Sequence, residues 1–104
     1  MSEPHVLFAD VVPYEVPPSL DALRGPAEGT LTLPLHLWWG PGSSFDLADR
    51  DELLAAYRAV VREGRTVDQE ELLNLDLLVA VWSDLRLPAR CRAGWEHLHA
   101  ELRR

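Results

Sequence analysis

The chain has 104 residues, with 17 acidic against 10 basic side chains and a net charge of −7 at neutral pH. This length predicts one domain with a modest hydrophobic core. The excess of negative charge repels phosphate backbones, so nucleic acid is not expected to bind the protein alone, and a basic protein surface is the more favourable partner.

The first half of the chain is predicted to be extended. Residues 6–12 form an apolar, β-branched run that predicts a strand, and Ser19 can cap a single helical turn that ends at Gly25. Residues 30–39 alternate between two faces and predict a second strand. Pro34 lacks an N–H, which confines it to an edge strand or a bulge. The two strands are expected to pair, and the sheet is expected to end at residues 40–44.

The alternation in residues 30–39 also predicts which side chains face the core. Four leucines and Trp39 share one face, and His36 and Trp38 share the other. The leucine-rich face is expected to point inward. His36 and Trp38 are therefore predicted to point away from the core, unless a loop or helix covers Trp38.

The second half is predicted to be helical. Asp49, Asp51 and Glu52 place negative charge where a helix dipole favours it, and the apolar stripe that follows ends at Gly64. Residues 66–69 match a capping box led by Thr66, which predicts a helix to about residue 73. Asn74 can cap the next helix.

Two further helices complete the prediction. Residues 75–85 are apolar on nearly every face, which predicts a helix buried all round, with a buried strand at 77–82 as the alternative. Pro88 is suited to the first position of the last helix, whose stripe is Cys91, Trp95, Leu98 and Leu102. The predicted fold is α+β in a single domain, residues 1–104, with an extended or β part at 1–44 and three to four packed helices at 45–104.

The sequence contains no recognisable catalytic or cofactor set, so we predict no enzyme activity, no cofactor and no metal. His97 and His99 are two residues apart and cannot meet on one helix face, which leaves too few ligands for zinc. The single cysteine fits a reducing compartment, and no apolar run reaches the ~18 residues of a membrane span. The N-terminus lacks the basic region of a signal peptide. We therefore predict a cytoplasmic protein without a membrane partner.

Five side chains are the candidates for partner binding. His36 and Trp38 are predicted to be exposed on an edge strand, where another chain can add a strand, and tryptophan is a favoured hot-spot residue at interfaces. Asp49, Asp51 and Glu52 form the acidic start of a predicted helix and are the second candidate surface.

Several blocks of residues occur in a distinctive order. They are residues 23–34 (LRGPAEGTLTLP), 35–40 (LHLWWG), 45–47 (FDL), 60–64 (VVREG), 72–78 (LLNLDLL), 87–88 (LP) and 95–96 (WE), with Tyr57, Trp82 and Arg92. In this order they resemble the small actinobacterial proteins encoded beside nucleotidyltransferase toxins of the abortive-infection type, and the similarity covers roughly residues 20–96. This chain has Trp38-Trp39-Gly40 where the family is expected to have Trp-Ser-Gly, which affects the role assigned to Trp38.

The resemblance implies an antitoxin that binds and silences a toxin which adds nucleotides to tRNA. Such a toxin needs a positively charged cleft, and an acidic partner can dock there and exclude the substrate. A DNA-binding transcriptional regulator is the alternative, because the helices at 67–73 and 75–85 could form a helix-turn-helix, although the second is too apolar for a recognition helix. An enzyme subunit, or a small enzyme with an unrecognised site, is a third reading.

Overall fold

The structure is a computed structural model that describes residues 14–40 and 42–103. The strand predicted at residues 6–12 lies outside the described residues. Within them the α+β prediction is confirmed, because a two-stranded antiparallel sheet precedes four α-helices. No helix in this described part has the length and apolar character that crossing a membrane would require. The elements are β1 (Thr30–Thr32), β2 (Ser44–Asp46), α1 (Arg50–Glu63), α2 (Thr66–Leu72), α3 (Leu75–Val81) and α4 (Ala89–Leu98), with 3-10 turns at Leu20–Ala22, Trp82–Asp84 and Ala100–Leu102.

The sheet is a hairpin with one buried and one exposed face. Leu31 pairs with Phe45, and both are buried against the helices. Thr30 lies opposite Asp46 and Thr32 opposite Ser44 on the exposed face. The second strand was not predicted: Ser44 begins β2 where the sequence suggested that the sheet ends, and β2 crosses the expected boundary between residues 44 and 45.

The strand predicted for residues 30–39 ends much earlier than expected. Regular pairing stops beyond Leu33, whose amide donates to the Ser43 carbonyl at 3.0 Å. The Pro34 carbonyl then accepts hydrogen bonds from the amides of Leu37 at 2.9 Å and Trp38 at 3.1 Å. These bonds close a turn, so the two-residue alternation cannot continue past Pro34.

Helix α1 follows the predicted pattern. The Asp49 carboxylate accepts the Glu52 amide at 3.1 Å and caps the helix. One stripe is buried, formed by Leu53, Ala56, Tyr57, Val60 and Val61. Gly64 ends the helix, and a Cβ there would lie 2.5 Å from the Val60 carbonyl oxygen. The glycine is therefore required by close backbone approach and not by a left-handed conformation, since its φ is −75°.

The capping box before α2 is displaced by one residue from the prediction. Arg65 occupies the N-cap position, and the Asp68 carboxylate accepts the Arg65 amide at 2.9 Å. Gln69 is instead fully buried and donates to the carbonyls of Glu15 at 2.8 Å and Gly64 at 3.1 Å. The Gln69 side chain therefore links the backbone at Glu15 to the end of α1.

Helix α3 is only partly buried, contrary to the prediction for residues 75–85. Asn74 caps it as expected, accepting the Leu77 amide at 3.2 Å. Leu78 and Val81 are buried, whereas Ala80 is exposed. The segment is covered on one side because α3 lies at the surface of a small domain, in which few elements remain to pack on its other side.

Pro88 is the N-cap of α4, one position before the predicted N1, and the predicted stripe is wrong at Leu98. Cys91, Trp95 and Leu102 are buried, but Leu98 is 58% exposed. The α-helix ends at Leu98, so the chain rotates into a 3-10 turn and buries His99 in its place. The Nε2 of His99 lies 2.7 Å from the Pro17 carbonyl oxygen, a contact in which the ring N–H donates.

The segment before β1 passes directly over the junction between α2 and α3. The amides of Arg24 and Gly25 donate to the carbonyls of Glu70 and Leu73, both at 2.8 Å. A Cβ at Gly25 would lie 2.3 Å from the Leu72 carbonyl oxygen and 2.8 Å from the Leu73 nitrogen. These are backbone atoms that cannot move aside, so the crossing requires a glycine.

We expect Gly25→Ala to lower the free energy of unfolding by about 2 kcal/mol or more, because the added methyl group forces two backbones apart. Gly94→Ala is the matched control: it lies within α4, and its nearest contact would be Val16 Cγ2 at 3.9 Å. Removing a helical glycine there should raise the free energy of unfolding by about 0.5–1 kcal/mol. Urea denaturation measures both, and a neutral Gly25→Ala variant would show that the crossing is not tight.

Candidate functional site

The loop between β1 and β2 carries the most exposed large apolar side chains of the described residues. Leu35 is 75% exposed and Trp39 is 82% exposed. With His36 they border an open depression of about 710 Å³. We call Leu35, His36 and Trp39 the hairpin tip. An exposed indole beside an exposed leucine is unusual on a small soluble surface and is typical of a binding site.

The orientation predicted for the two tryptophans is wrong. Trp38 packs against the core, with its ring edge-to-face on Phe45 at a centroid distance of 5.0 Å, and Trp39 points outward. The turn at Pro34 causes the exchange, because regular alternation ends there. Leu35 was also predicted to face the core and is exposed, whereas Leu37 is buried as predicted. Trp38 therefore packs between the loop and the core, and Trp39 is the exposed tryptophan, where the alternation predicted Trp38 to be exposed.

A hydrogen bond fixes the hairpin tip to helix α2. His36 Nε2 lies 3.0 Å from Asp68 Oδ2, and the same oxygen accepts the Arg65 amide. Since an ionised carboxylate only accepts, the imidazole nitrogen must carry the proton. The His36 ring stays largely exposed while Asp68 is buried. His36 is thus at the predicted exposed position, and its ring also holds the loop in place.

The electrostatics of Asp68 favour its charged form. Burial raises the pKa of Asp68, but the hydrogen bonds from His36 and the Arg65 amide, together with the charges of both residues, outweigh it and lower the pKa below its ordinary value. The contact is therefore a charge-assisted hydrogen bond at neutral pH.

The surroundings of the tip extend its apolar surface. Val67, 53% exposed, precedes Asp68 on the first turn of α2. On the other side of Trp39, a second depression of about 510 Å³ is bordered by Trp38, Gly40 and Glu63 with Leu37. Three of the four exposed large apolar residues in the described part of the chain therefore lie on the two elements that the His36–Asp68 contact joins.

The acidic candidates lie at the opposite end of the hairpin. Asp49, Asp51 and Glu52 begin α1, next to Asp46 at the end of β2, whereas Glu63 at the other end of α1 lies beside Trp39. A helix of 14 residues is about 21 Å long, so the two surfaces are separated by roughly that distance. Asp49 and Glu52 also have local roles, since Asp49 caps the helix and Glu52 accepts the Asp46 amide at 2.7 Å.

The remaining reactive groups are parts of the core. Burial raises the pKa of the Cys91 thiol to about 11, with smaller opposing effects from Arg62 and Arg92. Burial likewise raises the pKa of Tyr57 to about 12, against a smaller effect of its hydrogen bond from Asn74. Within residues 14–40 and 42–103 no three His, Cys, Asp or Glu side chains are grouped as metal ligands would be.

Comparison with protein-family models, with curated proteins and with solved structures finds no match to this chain.

The two tryptophans should respond differently to truncation. We expect Trp38→Ala to lower the free energy of unfolding by about 2–4 kcal/mol, because it leaves a cavity against Phe45. Trp39→Ala should change the free energy of unfolding by less than about 0.5 kcal/mol, as exposed substitutions do. Urea denaturation followed by circular dichroism compares them directly, and equal losses for both variants would contradict the assigned orientations.

The Asp68 contact predicts a specific pH dependence. Because the folded pKa is lower than the unfolded one, ionised Asp68 stabilises the fold above the unfolded value of about 4, and this contribution is lost as the pH falls through the folded pKa. Asp68→Asn should lower the free energy of unfolding at neutral pH and flatten its loss as the pH falls below the unfolded pKa of about 4. Urea unfolding of this variant and of the wild type at several pH values tests the prediction, and parallel losses of stability in the two proteins would contradict it.

Proposed function

We propose that this protein is an antitoxin that binds a nucleotidyltransferase-type toxin and occludes its substrate cleft, with the hairpin tip as the apolar anchor of the complex. The observation that carries the proposal is Trp39, which is 82% exposed at the end of a loop that is itself fixed. The identity of the partner comes from the family that the sequence resembles.

The hairpin tip has the properties of an interface anchor. A tryptophan side chain buries about 150–250 Å² at an interface, which at roughly 25 cal/mol per Å² stabilises a complex by several kcal/mol. The His36–Asp68 hydrogen bond and the packing of Trp38 on Phe45 hold the loop before binding. Less conformational entropy is then lost on association.

The charge distribution supports a basic partner. Residues 1–52 hold nine acidic and two basic side chains, whereas residues 53–104 hold eight of each. One of the two bases, Arg50, forms an ion pair with Asp84 and adds little net positive charge to the start of α1. A cleft that binds tRNA and nucleotide phosphates is basic, so complementary fields favour encounter with this surface.

The DNA-binding alternative is less well supported, because the charges of α2 and α3 do not suit it. Residues 66–85, which include α2 and α3, contain five acidic side chains and no arginine or lysine. A helix-turn-helix needs basic groups for the phosphates and polar groups for the base edges. We therefore propose a protein partner and expect no binding of duplex DNA by the protein alone at physiological salt.

Trp39→Ala should weaken binding to the proposed cognate nucleotidyltransferase toxin by about 30-fold or more, the effect of losing a hot spot of about 2 kcal/mol. Inhibition of nucleotide addition to tRNA should weaken in parallel. The matched control is Leu98→Ala, because Leu98 is also exposed but lies at the end of α4. Calorimetry and a tRNA-labelling assay measure the two effects. The proposal is wrong if the wild-type protein neither binds nor inhibits this enzyme.

A further inference from the structure

The hairpin leaves one strand edge uncovered among the described residues. The backbone hydrogen bonds between the two sides of the hairpin are made at Gly29, Leu31 and Leu33. The Leu47 amide donates to the Gly29 carbonyl at 2.9 Å, and the Leu33 amide donates to the Ser43 carbonyl at 3.0 Å. In an antiparallel ladder the residues between these rungs direct their backbone groups away from the partner strand. The N–H and C=O groups of Thr30 and Thr32 therefore point outward, and no backbone hydrogen bond from residues 14–40 or 42–103 reaches them.

The corresponding edge of β2 is occupied at Asp46. The outward amide of Asp46 donates to Glu52 Oε1 at 2.7 Å, its carbonyl accepts the Asp49 amide at 3.0 Å, and helix α1 lies against this strand. The two edges of the hairpin thus differ: the protein itself bonds the outward groups of Asp46 in β2, whereas β1 presents the outward backbone groups of both Thr30 and Thr32 to a further strand. Leu35 follows Thr32 by three residues, about 10 Å along the chain at most, so this edge leads directly to the hairpin tip.

The charges around the edge are negative. On the exposed face, Asp46 lies directly across from Thr30. Glu28 precedes the strand, and Asp49 and Glu52 follow β2 at the same end of the hairpin. A strand added beside Thr30 would lie about 10 Å from Asp46, two strand spacings away, which is within the reach of an arginine or lysine side chain.

We propose that the outer edge of β1 binds an extended segment of the partner as a third strand, and that this segment alternates basic and apolar residues. The alternation follows from the pleat, because residues paired with Thr30 and Thr32 share the face of Asp46, while their neighbours share the inner face of Leu31 and Phe45. The inference rests on the proposed function for the identity of the partner, and it names the part of that partner which is recognised.

A second copy of this chain is a poorer occupant of the edge. Each copy has a net charge of −7, and its own β1 presents threonines beside acidic side chains, so two such edges repel each other. An extended segment with basic side chains gains both backbone hydrogen bonds and charge complementarity.

The test follows individual amides by NMR hydrogen exchange in the full-length protein. The probes are the toxin and two capped peptides, Val-Arg-Val-Arg-Val and Val-Glu-Val-Glu-Val. The toxin and the basic peptide should slow exchange at Thr30 and Thr32 at least tenfold, with little change at Leu31 and Leu33, which already bond to β2. The acidic peptide should bind at least tenfold more weakly than the basic one.

Three variants sharpen the test. Thr32→Pro removes the outward N–H but none of the backbone bonds to β2, and it should weaken binding of the basic peptide at least tenfold. Thr32→Val is the matched control: both variants lose the hydrogen bond between Thr32 Oγ1 and Ser44 Oγ at 3.0 Å, but Thr32→Val keeps the outward N–H and should bind the basic peptide within about twofold of wild type. Asp46→Asn keeps the oxygen that accepts the Ala48 amide at 2.9 Å but removes the charge. Asp46→Asn should weaken binding of the basic peptide several-fold and should not weaken binding of the acidic peptide.

The outcomes separate this inference from the proposed function. If the toxin binds and Trp39→Ala weakens it, but exchange at Thr30 and Thr32 is unchanged with the toxin and with the basic peptide, strand addition is wrong and the antitoxin proposal stands. If the toxin does not bind but the basic peptide protects both amides selectively, the antitoxin proposal is wrong and the strand-edge site stands. Equal affinity for the basic and acidic peptides would overturn the charge preference that defines the segment. Slow exchange at Thr30 and Thr32 in the free protein would show that the edge is already paired, as the strand predicted at residues 6–12 would do, and would overturn strand addition by a partner.

Discussion

The junction between α2 and α3 is the constraint on which the rest of the structure depends, because three separate parts of the chain are hydrogen-bonded there. The Asn74 amide donates to the buried Tyr57 hydroxyl of α1 at 2.9 Å, and the Gly25 amide donates to Leu73 at 2.8 Å. The Asn74 side chain also accepts the Leu77 amide and starts α3. Backbone groups between two short helices have few local partners, so these bonds satisfy groups that would otherwise be buried at a cost of about 1–3 kcal/mol each.

A second set of polar contacts connects this junction to the hairpin tip. Gln69 connects α2 to the end of α1 and to Glu15, whose carboxylate also accepts the Thr66 amide at 2.8 Å. Helix α2 is therefore fixed at its first turn, and that turn presents Asp68 to His36. The hairpin tip is held by a helix that is itself held by the core. For a surface that depends on one exposed indole, this rigidity reduces the entropy lost when a partner binds.

In the proposed complex the two ends of the hairpin contribute different properties to recognition. The tip provides apolar area that requires close contact, and the base of the hairpin near Asp46 and Asp49 provides charge that acts over a Debye length of about 8 Å in physiological salt. Helix α1 lies beside both ends and sets the distance between them. The outer edge of β1 runs between the two surfaces, so one extended segment of a partner could contact all three.

The sequence by itself determined what depends on neighbouring residues along the chain: the α+β order, the caps at Ser19 and Asn74, the acidic start of α1 and its buried stripe. These features could be predicted because helix caps and amphipathic periodicity are local. Only the tertiary structure decided which tryptophan is exposed, that Ser44 opens a second strand, and that His36 binds Asp68, 32 residues away. The physical reason is the same in each case. A turn at Pro34 and a pairing between distant residues change which face a side chain occupies, and the alternation of residues 30–39 contains no information about either.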